Sequence, residues 1–367
     1  MGKHSEENEE KKIKKSKKGK ALWILLIIVV ILAVIVLGLY QGLIGSKLGK
    51  MQFEKLNMSD EELGVSEEET KKSEYRNIAI LGIDSRYNSY DDFARTDCIM
   101  IASINKKTSD VKIFSIYRDT LVQMELDGKT RLDKINHAYY GGVENTLKTI
   151  NTNFDLNVSE FVNVDFDAVA EMVDAVGGVE IIITTEELKY INGYIDGNNK
   201  ANDSKSKHIT KAGTQTLDGN QALAYGRIRY TEGGDFKRTE RMRTVLSKVF
   251  EKLKGKSVTE LYSIVDTVLP KVQTNITQTE IISLVPKIMD ANISDTFGFP
   301  YNAVSEQLDL KDYYEGTVKG ADYYDIPTKL TEDVEKLHKE VLEDEDYTVP
   351  DSIKEIYEKI KTVAKIK

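Results

Sequence analysis

An unbroken apolar run, Ala21–Tyr40 (ALWILLIIVVILAVIVLGLY), dominates the hydrophobic pattern and contains no charged side chain. Twenty helical residues reach about 30 Å, the thickness of a bilayer's hydrocarbon core. Trp23 and Tyr40 stand near its ends, where amphipathic rings favour the membrane interface. The run is longer than the apolar region of a cleaved export signal, and no A-x-A pattern follows it. It predicts one uncleaved transmembrane helix.

Beyond the run the pattern changes. Residues 41–75 read as a linker, because Ser59–Glu74 is dense in Glu, Ser and Lys and offers little to a core. Ile78–Leu81, ending at Gly82, predicts a buried strand. Cys98–Ile104 and Val111–Ile116 predict two more, separated by turn residues Lys106–Asp110. Val143–Asn153 has helical spacing, and Phe161–Val164 reads as a strand. Asp165 can cap a helix through Phe166, Val169, Met172 and Val173 that stops at Gly177-Gly178, before the strand Val179–Ile183. Residues 192–217, rich in Gly, Asn and Ser, read as a surface excursion. Helices are predicted at Gly219–Tyr225, Thr239–Lys254, Val258–Leu269 and Gln278–Met289. A strand at Thr296–Phe299 and a charged helix at Ser352–Lys365 follow. Strands alternating with helices define an α/β fold, a three-layer α-β-α sandwich on a mixed central sheet, preceded by the transmembrane helix. The chain divides into a basic tail (1–20), the span (21–40), the linker (41–75), a catalytic core (76–255) and a C-terminal part of the same outer domain (256–367).

Charge orients this arrangement. Residues 1–20 carry eight lysines against four glutamates, which keeps that end cytoplasmic and sends residues 41–367 outward. The net charge is −9, so removing this local +4 leaves −13 on the remainder, which argues against nucleic-acid binding. Cys98 is the single cysteine, so no intramolecular disulfide exists, and its apolar setting reads as a buried strand position.

The cations are unevenly chosen. The chain has ten arginines against 41 lysines, and every arginine falls between Arg76 and Arg243. Arginine offers a planar donor fork that matches carboxylates and phosphates. Ordinary ion pairing within the folded core is the alternative for any one of them. Arg227-Ile-Arg229 would present both guanidiniums on one face if extended. Arg238 and Arg241 lie one helical turn apart. Arg86 and Arg118 follow strands, where open α/β sheets place ligands. As a group they point to a polyanion, a phosphate or pyrophosphate.

Asp84 follows the first strand, Asp97 opens the second and Asp119 follows the third. Were the first two strands antiparallel neighbours, Asp84 and Asp97 would share a sheet edge, where two carboxylates with phosphate oxygens and water suit Mg²⁺. Each alone can equally be a turn or cap residue. No His or Cys cluster suggests zinc, and no Walker loop or G-x-S-x-G is present. His137 stands alone in Lys134-Ile-Asn-His-Ala138, within reach of a ligand or serving the fold.

Seven segments carry a resemblance. Leu81-Gly-Ile-Asp-Ser-Arg86, Arg95-Thr-Asp97, Ser115-Ile-Tyr-Arg-Asp119, Lys134-Ile-Asn-His-Ala138, Leu217-Asp-Gly219, Tyr225-Gly-Arg-Ile-Arg229 and Asp235-Phe-Lys-Arg-Thr-Glu-Arg241 stand in order and spacing similar to the LytR-CpsA-Psr family, over about 76–250. The resemblance implies a transferase that moves an anionic glycopolymer, teichoic acid or capsule, from a polyprenyl-pyrophosphate carrier to peptidoglycan at the outer face of a Gram-positive membrane. It implies Mg²⁺ (or Mn²⁺) held by Asp84 and Asp97, and a pyrophosphate surrounded by Arg86, Arg95, Arg118, Arg227, Arg229, Arg238 and Arg241. Arg118, Arg227 and Arg229 are the implied catalytic cations, with Asp119 either a base or a partner of Arg118. Three positions depart from the family pattern: Tyr117 for proline, Lys237 for glycine and Met242 for glutamine. Two other readings use the same site: a lipid-pyrophosphate hydrolase, and a non-enzymatic receptor for polyprenyl phosphates.

Overall fold

The computed structural model describes residues 52–65, 70, 73–83, 95–201, 203–277, 279–281, 293–310 and 321–366. The apolar run 21–40, the segment containing Asp84 and Arg86, and most of the helix expected at 278–289 lie outside the described residues. Among the described residues no helix is long and apolar enough to cross a membrane.

β1 (Gln52–Phe53), β2 (Tyr75–Ile83), β3 (Thr96–Asn105) and β4 (Val111–Ile116) are followed by the hairpin β5 (Leu121–Leu126) and β6 (Lys129–Lys134). A 3₁₀ turn, Ile135–Gly141, leads into α1 (Gly142–Phe154), β7 (Glu160–Asp165), α2 (Phe166–Ala175) and β8 (Val179–Ile183). Then come α3 (Thr185–Ala201), β9 (Gly213–Leu217), α4 (Gly219–Gly226), α5 (Gly234–Lys254) and α6 (Val258–Val268). β10 (Val272–Thr274), β11 (Ile293–Phe299), β12 (Ala303–Leu308), β13 (Asp322–Pro327), α7 (Leu330–Lys336) and α8 (Asp351–Ala364) complete the chain.

Seven strands form a mixed sheet in the order β1-β10-β7-β2-β3-β4-β11. β3 runs antiparallel to both β2 and β4; β2 is parallel to β7 and β4 to β11. Strand alternation sends successive side chains to opposite faces. Ala79, Leu81 and Ile83 of β2 and Ile99 and Ile101 of β3 enter one core, with Leu147, Ile150, Val334, Ile353 and Ile360 of α1, α7 and α8. Cys98 and Met100 face the other side, against Leu223 and Met242 of α4 and α5. Helices therefore cover both faces of the mixed sheet, as the alternating pattern predicts.

Residues 256–367 complete the same body, since β10 and β11 belong to the central sheet and α8 packs into its core. Two expectations are corrected. The segment 59–74 does contribute to a core: Leu63 is fully buried and Val65 nearly so, and β1 pairs with β10. Two apolar side chains in a polar stretch suffice, because Asn151 of α1 bonds the Leu63 carbonyl at 2.8 Å and anchors the turn. The stretch 192–217 is not an irregular excursion. Its first part extends α3 to Ala201, burying Ile195 and Asn198, and its last part is β9, paired with β8.

Close packing at the start of α4 is severe. Asp218 caps the helix in a reciprocal capping box with Gln221. A Cβ at Gly219 would sit 2.0 Å from the Ala170 carbonyl oxygen, which is α2 backbone and cannot move aside. Gly219→Ala is expected to cost about 3 kcal/mol, read as a lowered urea midpoint with an unchanged m-value.

Candidate anion site at the sheet edge

The site begins with an irregularity in the sheet. Gly82 pairs with Cys98 but Ile83 pairs with Thr96, so Asp97 is an extra residue on β3, a β-bulge. Bulges re-aim side chains at sheet ends. The adjacent end of β4 supplies Tyr117, Arg118 and Asp119 from the same edge.

The re-aimed Asp97 carboxylate meets three guanidiniums. Arg118 Nη1 donates to Oδ1 at 2.5 Å, Arg238 Nη2 lies 2.7 Å from Oδ2, and Arg229 Nη2 lies 3.7 Å from Oδ2. Arg238 Nη2 also donates to the Asp97 carbonyl at 3.2 Å. Asp97, Arg118 and Arg238 are mostly buried, whereas Arg229 keeps 45% of its side chain exposed. Burial is the largest single influence on the Asp97 carboxyl and opposes ionisation. The charges of Arg238, Arg118 and Arg229 together overcome it and hold the group below the usual carboxylate range. Asp97 is thus the point on which three guanidiniums converge, and guanidiniums are donors suited to phosphate oxygens.

The other predicted residues fall around this centre. Asp119 lies 3.4 Å from Arg118 Nη2 and 3.6 Å from Lys134 Nζ, so its two oxygens face cations. Arg95 donates from Nε to the Tyr140 hydroxyl, its guanidinium 5.6 Å from that ring's centroid. Arg227 ends α4 with helical backbone angles, φ −99° and ψ −4°, and donates to Asn198 Oδ1 at 2.9 Å. The expected extended Arg-x-Arg face is therefore absent: Arg227 closes a helix, Ile228 is fully buried, and Arg229 alone of the pair reaches Asp97.

Arg241 is not stacked with Arg238 on the site. It is buried and donates to Glu187 Oε1 at 2.7 Å, the Ile228 carbonyl at 3.1 Å and Thr231 Oγ1 at 2.6 Å. One helical turn rotates it by a further part of the circumference, which turns it from the sheet edge toward α3. It holds the loop bearing Arg229 against α3. Asp84 and Arg86 lie outside the described residues.

The three departures are accommodated in packing. The Tyr117 ring makes an edge contact with Phe236 at 4.4 Å. Its hydroxyl occupies the space a Cβ would need at Gly298, with a 2.1 Å approach, so only glycine fits there. Met242 is buried with Cys98, Met100 and Leu223, and makes the site's floor apolar. Lys237 lies along Gly233 and donates to Glu240 at 2.8 Å. Burial pushes the Cys98 thiol up to about 12, so it is inert at this floor.

Several residues around the centre escape a sequence reading. Glu187 and Asn198 are supplied by α3, whose second half reads as loop. Asp133 and Tyr140 contact His137. Only the i,i+4 spacing of Asp133 and His137 hints at their contact.

The fold is a mixed α/β sheet, with Arg118, Arg229 and Arg238 gathered on Asp97 at one edge. The chain belongs to the LytR_cpsA_psr family, whose model matches residues 45–340. It is 32% identical over 270 residues to the polyisoprenyl-teichoic acid–peptidoglycan teichoic acid transferase TagU of Bacillus cereus, covering 73% of this chain and 79% of that one. TagT of Bacillus subtilis, with the same transferase description, is 32% identical over 271 residues, covering 69% and 80%. Among solved structures, TagT bound to LIIa-WTA matches with a TM-score of 0.53 and 28% identity over 72% of this chain and 90% of that one. Bacillus subtilis TagV matches with a TM-score of 0.54 and 26% identity over 76% and 99%.

Proposed function

We propose that this chain transfers an anionic glycopolymer of the teichoic acid or capsular type from a polyprenyl-pyrophosphate carrier to peptidoglycan. The observation that carries the reading is the convergence of Arg118, Arg229 and Arg238 on Asp97. The curated relatives named as teichoic acid transferases give that anion site its substrate class.

An acceptor hydroxyl attacks the sugar-linked phosphorus. The new O–P bond forms as the bond to the bridging oxygen breaks, and polyprenyl phosphate leaves with the electron pair. Arg118, Arg229 and Arg238 neutralise the charge that grows on the bridging and terminal oxygens. Arg95, which bonds Tyr140, and Arg227, which bonds Asn198, would belong to the same set by their motifs. Arg86 belongs to the same set by its motif. Asp97 is a hard oxygen donor kept ionised by its neighbours, but both its oxygens face guanidiniums, so it would take Mg²⁺ or Mn²⁺ only with those arginines turned away. It would share that ion with Asp84. The ion would supply further charge neutralisation at the phosphate oxygens. The apolar run 21–40 would hold the domain at the outer leaflet, where a lipid-linked donor resides.

The test is reconstituted transfer from a short-chain polyprenyl-pyrophosphate glycan donor to a peptidoglycan oligosaccharide. Arg118→Ala is expected to lower kcat about 100- to 1000-fold while the protein remains folded. Full activity of that variant refutes this use of the site. Release of inorganic or sugar phosphate without acceptor would favour the hydrolase, and tight donor binding without turnover would favour the receptor.

A further inference from the structure

Asp133 and His137 form a dyad beside the arginine site. Asp133 is 3% exposed and lies 2.9 Å from His137 Nδ1. The same carboxylate accepts the Lys134 N–H at 2.8 Å and faces Arg131 Nη2 at 3.3 Å. A carboxylate so surrounded is an acceptor only, so the proton of the contact belongs to the imidazole Nδ1. That fixes the tautomer and leaves Nε2 with its lone pair on a ring that is 19% exposed.

The backbone places the turn that carries this ring next to the site. The Asn136 N–H donates to the Arg118 carbonyl at 3.1 Å, and the Ile135 N–H to the Thr120 carbonyl at 2.9 Å. The turn carrying His137 is thus hydrogen-bonded to the strand end that carries Arg118. The ring stacks on Tyr140 at 5.2 Å and 22°, and Tyr140 is the partner of Arg95. Lys134 links the dyad's turn to Asp119 on one side and to Asp322 of β13, at 2.8 Å, on the other. Among the described residues, the charged groups facing His137 are Asp133 of β6, Asp322 of β13, and Arg95 through Tyr140.

From the position of its turn and the Asp133 contact, we infer that His137 is the proton acceptor for the attacking hydroxyl. The inference rests on the transfer reading of the arginine site. As the hydroxyl oxygen bonds to phosphorus, its proton passes to His137 Nε2. The P–O bond to polyprenyl phosphate breaks, and the imidazolium, paired with Asp133, returns its proton to water. Asp119 is unsuited to this work because Arg118 and Lys134 already occupy its oxygens. His137 is the catalytic residue of the pair, and Asp133 is a positioning residue.

The experiment compares wild type, His137→Gln, Asp133→Asn and Arg118→Ala in the reconstituted transfer assay across pH. His137→Gln is expected to lower kcat about 100-fold with the donor KM unchanged, and to lose the acidic limb of the kcat profile. Asp133→Asn is expected to lower kcat about tenfold or more, since the ring is no longer held in one tautomer. His137→Ala is expected to regain activity with added imidazole, which separates lost chemistry from lost structure. Thermal midpoints accompany each variant. A His137→Gln protein with wild-type kcat and an intact acidic limb overturns the inference, and the transfer reading survives if Arg118→Ala is inactive. A fully active Arg118→Ala protein overturns the transfer reading itself.

Discussion

Asp97→Asn is expected to lose about 3 kcal/mol of unfolding free energy at neutral pH, because it removes the buried carboxylate on which Arg118, Arg229 and Arg238 converge. The volume is unchanged, so the loss reports charge and not packing. Added inorganic pyrophosphate should restore the variant's melting midpoint more than it raises that of the wild type. The anion supplies the missing negative charge and binds only the folded form. The pH dependence has a definite sign. The arginines depress the Asp97 carboxyl in the folded state, so its stabilisation is complete above the unfolded value, about 3.9. It is lost as pH falls through the lower folded value. Acid titration of the melting midpoint should therefore fall more steeply for the wild type than for Asp97→Asn. Equal acid slopes and no recovery with pyrophosphate would show that the carboxylate is not the counter-ion of this cluster.

Arg241→Leu is expected to cost about 3–5 kcal/mol without affecting anion binding beyond what lost folding explains. Glu187 would remain buried with its main cation gone. Glu187 also closes a capping box with Thr184 at the start of α3, through bonds of 2.9, 3.0 and 3.1 Å, so its backbone position is fixed and it cannot swing to water. Converting it to an uncharged acceptor should relieve the penalty. The double variant Arg241→Leu/Glu187→Gln is expected to recover about 2 kcal/mol relative to Arg241→Leu alone, in guanidinium unfolding. A stable Arg241→Leu protein with weakened pyrophosphate binding would instead return Arg241 to the anion site.

The two arginines of one helix illustrate how far a sequence reaches. Both are visible, both are spaced for a shared face, and the family motif includes both. Which one meets Asp97 depends on the rotation of α5 against the sheet, and that rotation is set by distant packing, with Met242 seated under Gly226 and Val245 in the helical core. Local spacing carries no information about it. β2, β3, β4, β7, β8 and β11 are legible as short apolar runs between turn residues; the polar or very short β1, β5, β6, β9, β10, β12 and β13 are not, nor is the bulge at Asp97, because one extra residue leaves no mark in the alternation. Arg227 shows the same limit. An Arg-Ile-Arg triplet reads naturally as extended, yet it follows a capped helix directly, and the helix claims its first residue. Leu63 and Val65 were hidden by their neighbours: a polar window averages out two side chains that the core nonetheless buries.

The bulge at Asp97 has a consequence for selectivity. Its carboxylate is a tethered competitor for the same donors that a ligand needs, and a group covalently attached to the site competes at a high effective concentration. A monovalent anion offers the guanidiniums nothing they lack. Only a ligand presenting several charged oxygens at once, spaced to engage more than one arginine, gains enough to rearrange the cluster. On the proposed reading of the site, one inserted residue in a strand would thus favour polyanions over monovalent anions.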